Sequence, residues 1–144
     1  MRDDTTTRET IRRATRQAYV DWIASQPWHH FATLTPQSDL PCDKLVREFK
    51  YGFIRRASFH CPRIAWFAVV ETGASGHRHV HALTSGTDSL TVDGLASAWK
   101  AGYAKILLYD KRGDAAAYVT KDILDRAEWY DVSTRWFRRQ TMSA

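Results

Sequence analysis

RIAWFAVVETGASGHRHVHALT, residues 63–84, joins an apolar run to a polar alternating segment through a short glycine-containing turn. The apolar run predicts a buried strand, and the alternation predicts a second strand with one polar face. If the loop is residues 74–76, Gly76 takes the left-handed position of a type I turn with a bulge. Glu71 then lies opposite His79 on one face of a β-hairpin. A four-residue loop would send Glu71 to the other face, and Gly76 favours the first arrangement.

The segments on both sides of this hairpin predict an α+β domain. Helices are predicted over 7–25, 42–58, 90–101 and 114–128, and strands over 28–35, 63–71, 77–84 and 105–109. After the opening helix the order is β-α-β-β-α-β-α. This order is typical of a split βαβ fold of the ferredoxin or RRM kind, an antiparallel sheet with helices on one face and the other face free for a site.

The length predicts one domain over residues 1–144, with a helical extension at 1–27 and a basic, aromatic tail at 130–144. The formal net charge of +5 comes from clustered Lys and Arg, with aromatic residues interleaved. This pattern is typical of a partner such as nucleic acid, and solvated helix faces are the alternative.

The chain has 2 cysteines, too few for a disulfide scaffold, so a reducing compartment such as the cytoplasm is expected. The amino terminus lacks an apolar signal segment, and the sequence has no apolar run of membrane-spanning length. We therefore expect neither secretion nor a membrane partner.

The histidine strand is a candidate metal site. Side chains alternate along a strand, so His77, His79 and His81 share one face. Two imidazoles at i and i+2 can hold one ion, and Glu71 joins them in the favoured hairpin register. Imidazole and carboxylate ligands together suit Mn²⁺, Mg²⁺, Zn²⁺ or Fe²⁺. A hydrated sheet face that carries several histidines is the alternative interpretation.

The predicted helix after the last strand contains AAAYVTKDI, residues 115–123. Tyr118 and Lys121 lie at i and i+3, off its apolar stripe, and so project together. A phenol with a pKa of about 10 is a poor nucleophile at neutral pH. A nearby cation and a metal-polarised phosphate both favour its attack. A surface tyrosine beside a solvated lysine is the alternative.

Three segments in this order, FATLT at 31–35, HVH at 79–81 and YVTK at 118–121, resemble the motifs of the HUH endonucleases. More narrowly, they resemble the single-tyrosine Rep proteins that initiate rolling-circle replication of small plasmids and viruses. The resemblance covers about residues 28–125.

The resemblance implies an activity, a cofactor and a set of site residues. The activity is site-specific nicking and rejoining of single-stranded DNA at an origin hairpin, through a covalent 5′-phosphotyrosine. The cofactor is Mn²⁺ or Mg²⁺, with no small-molecule cofactor, and a monomer is expected. Metal binding falls to His79, His81 and Glu71, nucleophilic attack to Tyr118, phosphate placement to Lys121, and DNA contacts to Thr33 and Thr35. From the charge pattern, basic residues of the second predicted helix, Arg55 and Arg56 among them, are further candidates for holding the DNA strand.

Some departures and several alternatives accompany the resemblance. His77 extends the histidine row, where it is expected to contact DNA, and binding to the metal or only to water is the alternative. Asp122 stands where the family often has an aromatic residue. No second tyrosine lies within a helical turn of Tyr118, which argues against the two-tyrosine initiators, and too few residues follow for a helicase domain. The interval from His81 to Tyr118 favours a Rep protein over a single-tyrosine transposase, and a relaxase-like enzyme is a further alternative. Alternatives of other classes are a non-haem iron oxygenase or cupin with a His/His/Glu site, and a non-catalytic RRM-like nucleic-acid binder.

Overall fold

The computed structural model describes residues 4–110 and 127–133, which form an α+β domain around one open sheet. Its elements are α1 (Asp4–Ala24), β1 (His30–Pro36), α2 (Cys42–Arg47), α3 (Arg55–Ser58), β2 (Ala65–Thr72), β3 (Arg78–Ser85), α4 (Val92–Ala96), β4 (Gly102–Leu108) and β5 (Trp129–Val132). A π-helical segment, Glu48–Ile54, joins α2 to α3, so the predicted helix over 42–58 is continuous but not uniformly α-helical.

The predicted order of elements is confirmed from the opening helix through β4, although α4 is shorter than predicted. Most of the helix predicted over 114–128 lies outside the described residues. Trp129–Val132 is a fifth strand that the sequence did not predict, and its residues 130–132 lie in the segment predicted to be a tail. Four residues are too few to show a clear period, so only pairing with β2 reveals this strand.

The sheet is antiparallel throughout, with strand order β4-β1-β3-β2-β5. The hairpin of β2 and β3 has the predicted register, with Glu71 opposite His79. Gly76 has φ of 81°, the left-handed conformation that the predicted loop requires. The amide of Gly73 donates to the His77 carbonyl at 2.9 Å and closes the three-residue loop. Turn chemistry therefore sets the face on which Glu71 lies.

One face of the sheet packs against the helical segments between β1 and β2 and between β3 and β4. Leu45, Phe49 and Phe53 are fully buried there, and Leu95 of α4 joins the same cluster. The even-numbered side chains of β1 to β4 supply the sheet side of this core: Ala32, Leu34, Trp66, Ala68, Val70, Val80, Ala82 and Ile106.

The opposite face is not free over its whole extent, which corrects the expectation of helices on one face only. The end of α1 and the segment after it cover part of this face through Ile23 and Trp28, which pack with Phe67, Val69 and Leu83. The physical reason is that β2 is apolar at consecutive positions, so both of its faces have to be covered. The predicted helical extension is thus part of the core.

Cys42 and Cys61 are free thiols, in agreement with the absence of a disulfide scaffold. Within residues 4–110 and 127–133, the structure has no helix with both the length and the apolar character needed to cross a bilayer.

A buried histidine is expected to make the stability of this fold depend on pH. His30 is fully buried, and its Nδ1 lies 2.7 Å from the Thr87 hydroxyl oxygen. Burial, and secondarily the nearby His29, lowers the pKa of His30 from 6.5 to about 4. Between these values the unfolded chain takes up a proton that the folded chain does not. The stabilisation is therefore present above pH 6.5, and up to about 3 kcal/mol is lost as the pH falls to 4.

Urea unfolding at pH 7 and at pH 4.5 measures this dependence. His30→Asn should make the free energy of unfolding depend less on pH between 7 and 4.5. His60→Asn, at an exposed histidine, should leave the wild-type pH dependence unchanged. Equal pH dependence in the wild-type protein and in His30→Asn would contradict the prediction.

Candidate metal centre

Glu71, His79 and His81 converge on the face of the sheet opposite the main helical layer. Each offers one donor atom, and the three atoms lie within 4.8 Å of one another. His81 Nε2 lies 3.5 Å from Glu71 Oε2. Two donors about 2.1 Å from one ion are at most about 4.2 Å apart, so side-chain shifts of less than about 1 Å bring all three onto one ion. This group can hold a metal ion.

The His81 imidazole is held from the side of β1. Its Nδ1 lies 3.1 Å from the Thr33 hydroxyl oxygen, and Thr33 is its cross-strand partner. The ring of Phe31 stacks on it, with centroids 5.9 Å apart and an interplanar angle of 5°. His81 is only 4% exposed. These contacts orient the ring so that Nε2 is the nitrogen near Glu71, as outer-shell partners do in metal sites.

His79 is half-buried, and its ring lies edge-on to that of His81 with centroids 4.5 Å apart. Burial lowers the pKa of His79, a hydrogen bond to the backbone carbonyl of His77 raises it, and the His77 side chain lowers it, with a net decrease. The imidazole is therefore neutral at pH 7, the form that donates a lone pair to a metal.

Gly73 gives the His79 ring its space. A Cβ atom at Gly73 would lie 3.0 Å from Cε1 of His79 and 3.4 Å from its Nδ1. A side chain there would require the imidazole to shift by a few tenths of an ångström. Sequence reasoning did not identify this role, because it depends on how closely the two hairpin strands approach.

Two imidazoles and one carboxylate form a ligand set of borderline hardness that suits first-row divalent ions. The donor set agrees with the expected divalent cofactor, and the choice of Mn²⁺ or Mg²⁺ stays a prediction.

His77 is the one histidine of the row that lies outside this group. Its Nε2 lies 3.0 Å from the Pro36 carbonyl oxygen at the end of β1. This contact ties the β2–β3 hairpin to the neighbouring strand. A carbonyl oxygen accepts only from a protonated ring nitrogen, so Nε2 carries the hydrogen here.

The arginines predicted to hold DNA are distant from this centre. Arg55 and Arg56 lie in α3, which packs through Ala57 on the other face of the sheet. Arg56 Nη1 donates to the Ala98 carbonyl at 3.0 Å. The sequence does not show on which face the second helix lies, and a role of Arg55 and Arg56 in DNA binding stays a prediction.

The remaining predicted residues fall in two groups. Thr35 is half-buried on β1, and its carbonyl accepts a hydrogen bond from Trp99 Nε1 at 3.2 Å. Tyr118 and Lys121 lie outside the described residues, so their roles stay predictions.

Ion pairs stabilise the face of the hairpin that is opposite the candidate metal ligands. Arg78 lies 3.0 Å from a carboxylate oxygen of Asp39 and 3.0 Å from one of Glu128. Glu128 also accepts a hydrogen bond from the Thr72 hydroxyl at 2.7 Å. Hydrogen bonds from Thr72, and then Arg78, hold the pKa of Glu128 below its usual value. These contacts keep the hairpin in place without using the metal-facing side chains.

Comparison with protein-family models, with curated proteins and with solved structures finds no match for this chain.

Thr33→Val is expected to weaken metal binding by about 10- to 100-fold, the usual effect of removing an outer-shell partner of a ligating histidine. Valine keeps the shape of threonine but cannot hydrogen-bond to Nδ1 of His81. Isothermal titration with Mn²⁺ measures the change. Thr72→Val is the matched control, since it removes a hydroxyl from the reverse side of the hairpin. Equal Mn²⁺ affinity in the two variants would show that Thr33 does not position His81.

Proposed function

We propose that this chain is a metal-dependent endonuclease of the HUH class that nicks and rejoins single-stranded DNA, in the manner of single-tyrosine Rep proteins. The observation that carries the proposal is the convergence of Glu71, His79 and His81 on one sheet face. The same HVH segment is followed, in the order typical of that family, by YVTK at 118–121.

The proposal extends to the fold, as a split βαβ arrangement. β1 and β2 are both antiparallel to β3, which lies between them, so they run parallel to each other. β3 and β4 flank β1 in the same way. Each parallel pair is connected through a helical segment. These relations support a ferredoxin-like core to which α1 and β5 are added.

In the proposed reaction, the phenol oxygen of Tyr118 attacks the phosphorus of a DNA phosphodiester. The new bond joins phosphorus to the tyrosine oxygen, and the bond from phosphorus to the 3′-oxygen breaks. The phenol proton passes to the departing 3′-oxygen directly or through solvent, which leaves a free 3′-hydroxyl and a 5′-phosphotyrosine. The ester keeps the phosphodiester energy, so a later 3′-hydroxyl reverses the step and joins strands without ATP.

The residues of the metal centre have defined parts in this scheme. Glu71, His79 and His81 hold the ion, and Thr33 orients His81. When bound, Mn²⁺ or Mg²⁺ supplies Lewis acidity at a non-bridging phosphate oxygen. Lys121 neutralises charge at the scissile phosphate or assists proton transfer near Tyr118.

An unpaired strand is the proposed substrate because the phosphate has to reach a centre that lies on a sheet face. The end of α1 covers this face around Phe67, Val69 and Leu83, and Phe31 at the start of β1 packs against the same cluster. The strand is therefore expected to approach over β4 and over the part of β1 that contains Thr33 and Thr35.

The proposal is tested by incubating the protein with Mn²⁺ and single-stranded oligonucleotides that form hairpins with randomised loops. A denaturant-resistant protein–DNA adduct, absent when EDTA replaces Mn²⁺, is expected, and sequencing of the bound strands gives the nick site. Failure to form an adduct with any oligonucleotide in Mn²⁺ or Mg²⁺ would refute the proposal. Iron-dependent oxygen consumption would instead favour an oxygenase.

A further inference from the structure

On the sheet face that carries the candidate metal ligands, β1 and β4 present an exposed aromatic and an exposed lysine, and a second exposed lysine precedes β4. Tyr103 of β4 is 69% exposed, and Lys100 and Lys105 are exposed beside it. Tyr103 pairs with Thr35, and Lys105 pairs with Thr33, whose hydroxyl contacts His81. Cross-strand partners share a face, so Tyr103 and Lys105 lie on the same face as the metal centre.

The exposed side chains are in line with the metal ligands. Leu34 pairs with Val80, so the next residue, Thr35, lies level with His79. Tyr103, Thr35, His79 and Glu71 therefore form one row across four neighbouring strands. Two strand spacings, about 10 Å, separate the backbones of Tyr103 and His79.

A groove lies at the Tyr103 end of this row. Its lining includes Thr35, His77, Lys100, Gly102 and Tyr103. A Cβ atom at Gly102 would collide with the Thr35 carbonyl oxygen, so the groove floor has no side chain at that position. His77 closes the side nearest the hairpin through its contact with the Pro36 carbonyl oxygen.

The charges of the groove suit a phosphate-bearing ligand. Among the described residues, neither Lys100 nor Lys105 has an ion-pair partner, and the lining has no carboxylate. An exposed phenol ring beside unpaired ammonium groups is the combination that binds single-stranded nucleic acid, through stacking on a base and contact with the backbone.

We infer that this groove is a subsite for a nucleotide next to the one whose phosphate lies at the metal centre. Tyr103 stacks on its base, Lys100 contacts its phosphate, and the strand then crosses Thr35 toward His79. The inference rests on the proposed function, because it takes single-stranded DNA as the ligand.

The test measures binding of a short fluorescein-labelled single strand of mixed sequence by anisotropy in EDTA, where no cleavage occurs. Tyr103→Ala should weaken binding by about 5- to 100-fold, the usual loss when a stacked base loses its aromatic partner. Tyr103→Phe should bind like the wild-type protein because it keeps the ring. Tyr51→Ala is the matched control, since Tyr51 is also 69% exposed but lies in the helical layer on the other face.

Lys100→Gln tests the phosphate contact separately. It should reduce the dependence of log Kd on log salt concentration by about 0.7, the value for one phosphate contact to a single strand. Lys44→Gln, at an exposed lysine of α2, should leave the slope unchanged.

The inference is overturned if the wild-type protein does not bind the strand in EDTA, or if Tyr103→Ala binds as tightly as Tyr51→Ala. Mn²⁺ titration of Tyr103→Ala keeps the two proposals apart. Normal Mn²⁺ affinity together with weakened DNA binding supports the groove. Lack of Mn²⁺ binding or of adduct formation by the wild-type protein counts against the proposed function and not against the groove.

Discussion

Tyr118→Phe is expected to abolish the covalent protein–DNA adduct. Phenylalanine keeps the ring but lacks the oxygen that forms the bond to phosphorus, so no residual reaction through that side chain is possible. The nicking rate should fall by at least about 10³-fold, as expected when a nucleophile is removed. The measurement is the amount of denaturant-resistant adduct formed with a single-stranded hairpin substrate in Mn²⁺, followed over time.

Two comparisons make this result specific. Binding of the intact strand in EDTA should stay close to wild type, because one hydroxyl is lost and no charge changes. Tyr51→Phe makes the same chemical change in the helical layer, away from the candidate metal ligands, and should form adduct at the wild-type rate. An adduct that persists in Tyr118→Phe would show that another residue is the nucleophile.

His81→Ala is expected to lower Mn²⁺ affinity by more than about 100-fold. Loss of an outer-shell partner alone costs about 10- to 100-fold, and this change removes a ligand itself. His81 is almost fully buried and contacts Phe31, Thr33 and Glu71, so its imidazole is held in place as a ligand at low entropic cost. Isothermal titration with Mn²⁺ gives the affinity, and the adduct assay at low Mn²⁺ gives the consequence for cleavage.

Because His81→Ala also leaves a cavity in the sheet, a second variant separates metal loss from misfolding. Glu71→Gln keeps the size of the side chain and removes the charge of the third ligand, and it should also weaken Mn²⁺ binding. His60→Ala, at an exposed histidine, serves as the control for loss of an imidazole. Wild-type Mn²⁺ affinity in folded His81→Ala would refute the metal assignment.

The candidate ligands could be predicted from local sequence because they lie on two strands joined by a short turn. Alternation places His79 and His81 on one face, and the left-handed glycine sets the register that brings Glu71 opposite His79. Both relations span only a few residues. The predicted group and the observed group are therefore the same.

The residues that support these ligands could not be predicted in the same way. Thr33 reaches His81 only because β1 pairs with β3 in one register, and these strands are far apart in the chain. The role of Gly73 in leaving space for the His79 ring depends on how closely the two strands approach. The role of Phe31 depends on the stacking of its ring on that of His81. The position of Arg55 and Arg56 relative to the candidate ligands was likewise decided by the tertiary structure, which places their helix on the other side of the sheet.

By itself the sequence determined the order of elements through β4, the hairpin register and the three candidate ligand residues, because these follow from side-chain alternation and turn chemistry over short distances. Only the tertiary structure decided the strand order, the fifth strand, the packing of α1 on the metal-bearing face and the contact between Thr33 and His81. These features depend on which apolar surfaces cover one another. That choice depends on contacts between residues distant in the chain, which no local pattern of residues specifies.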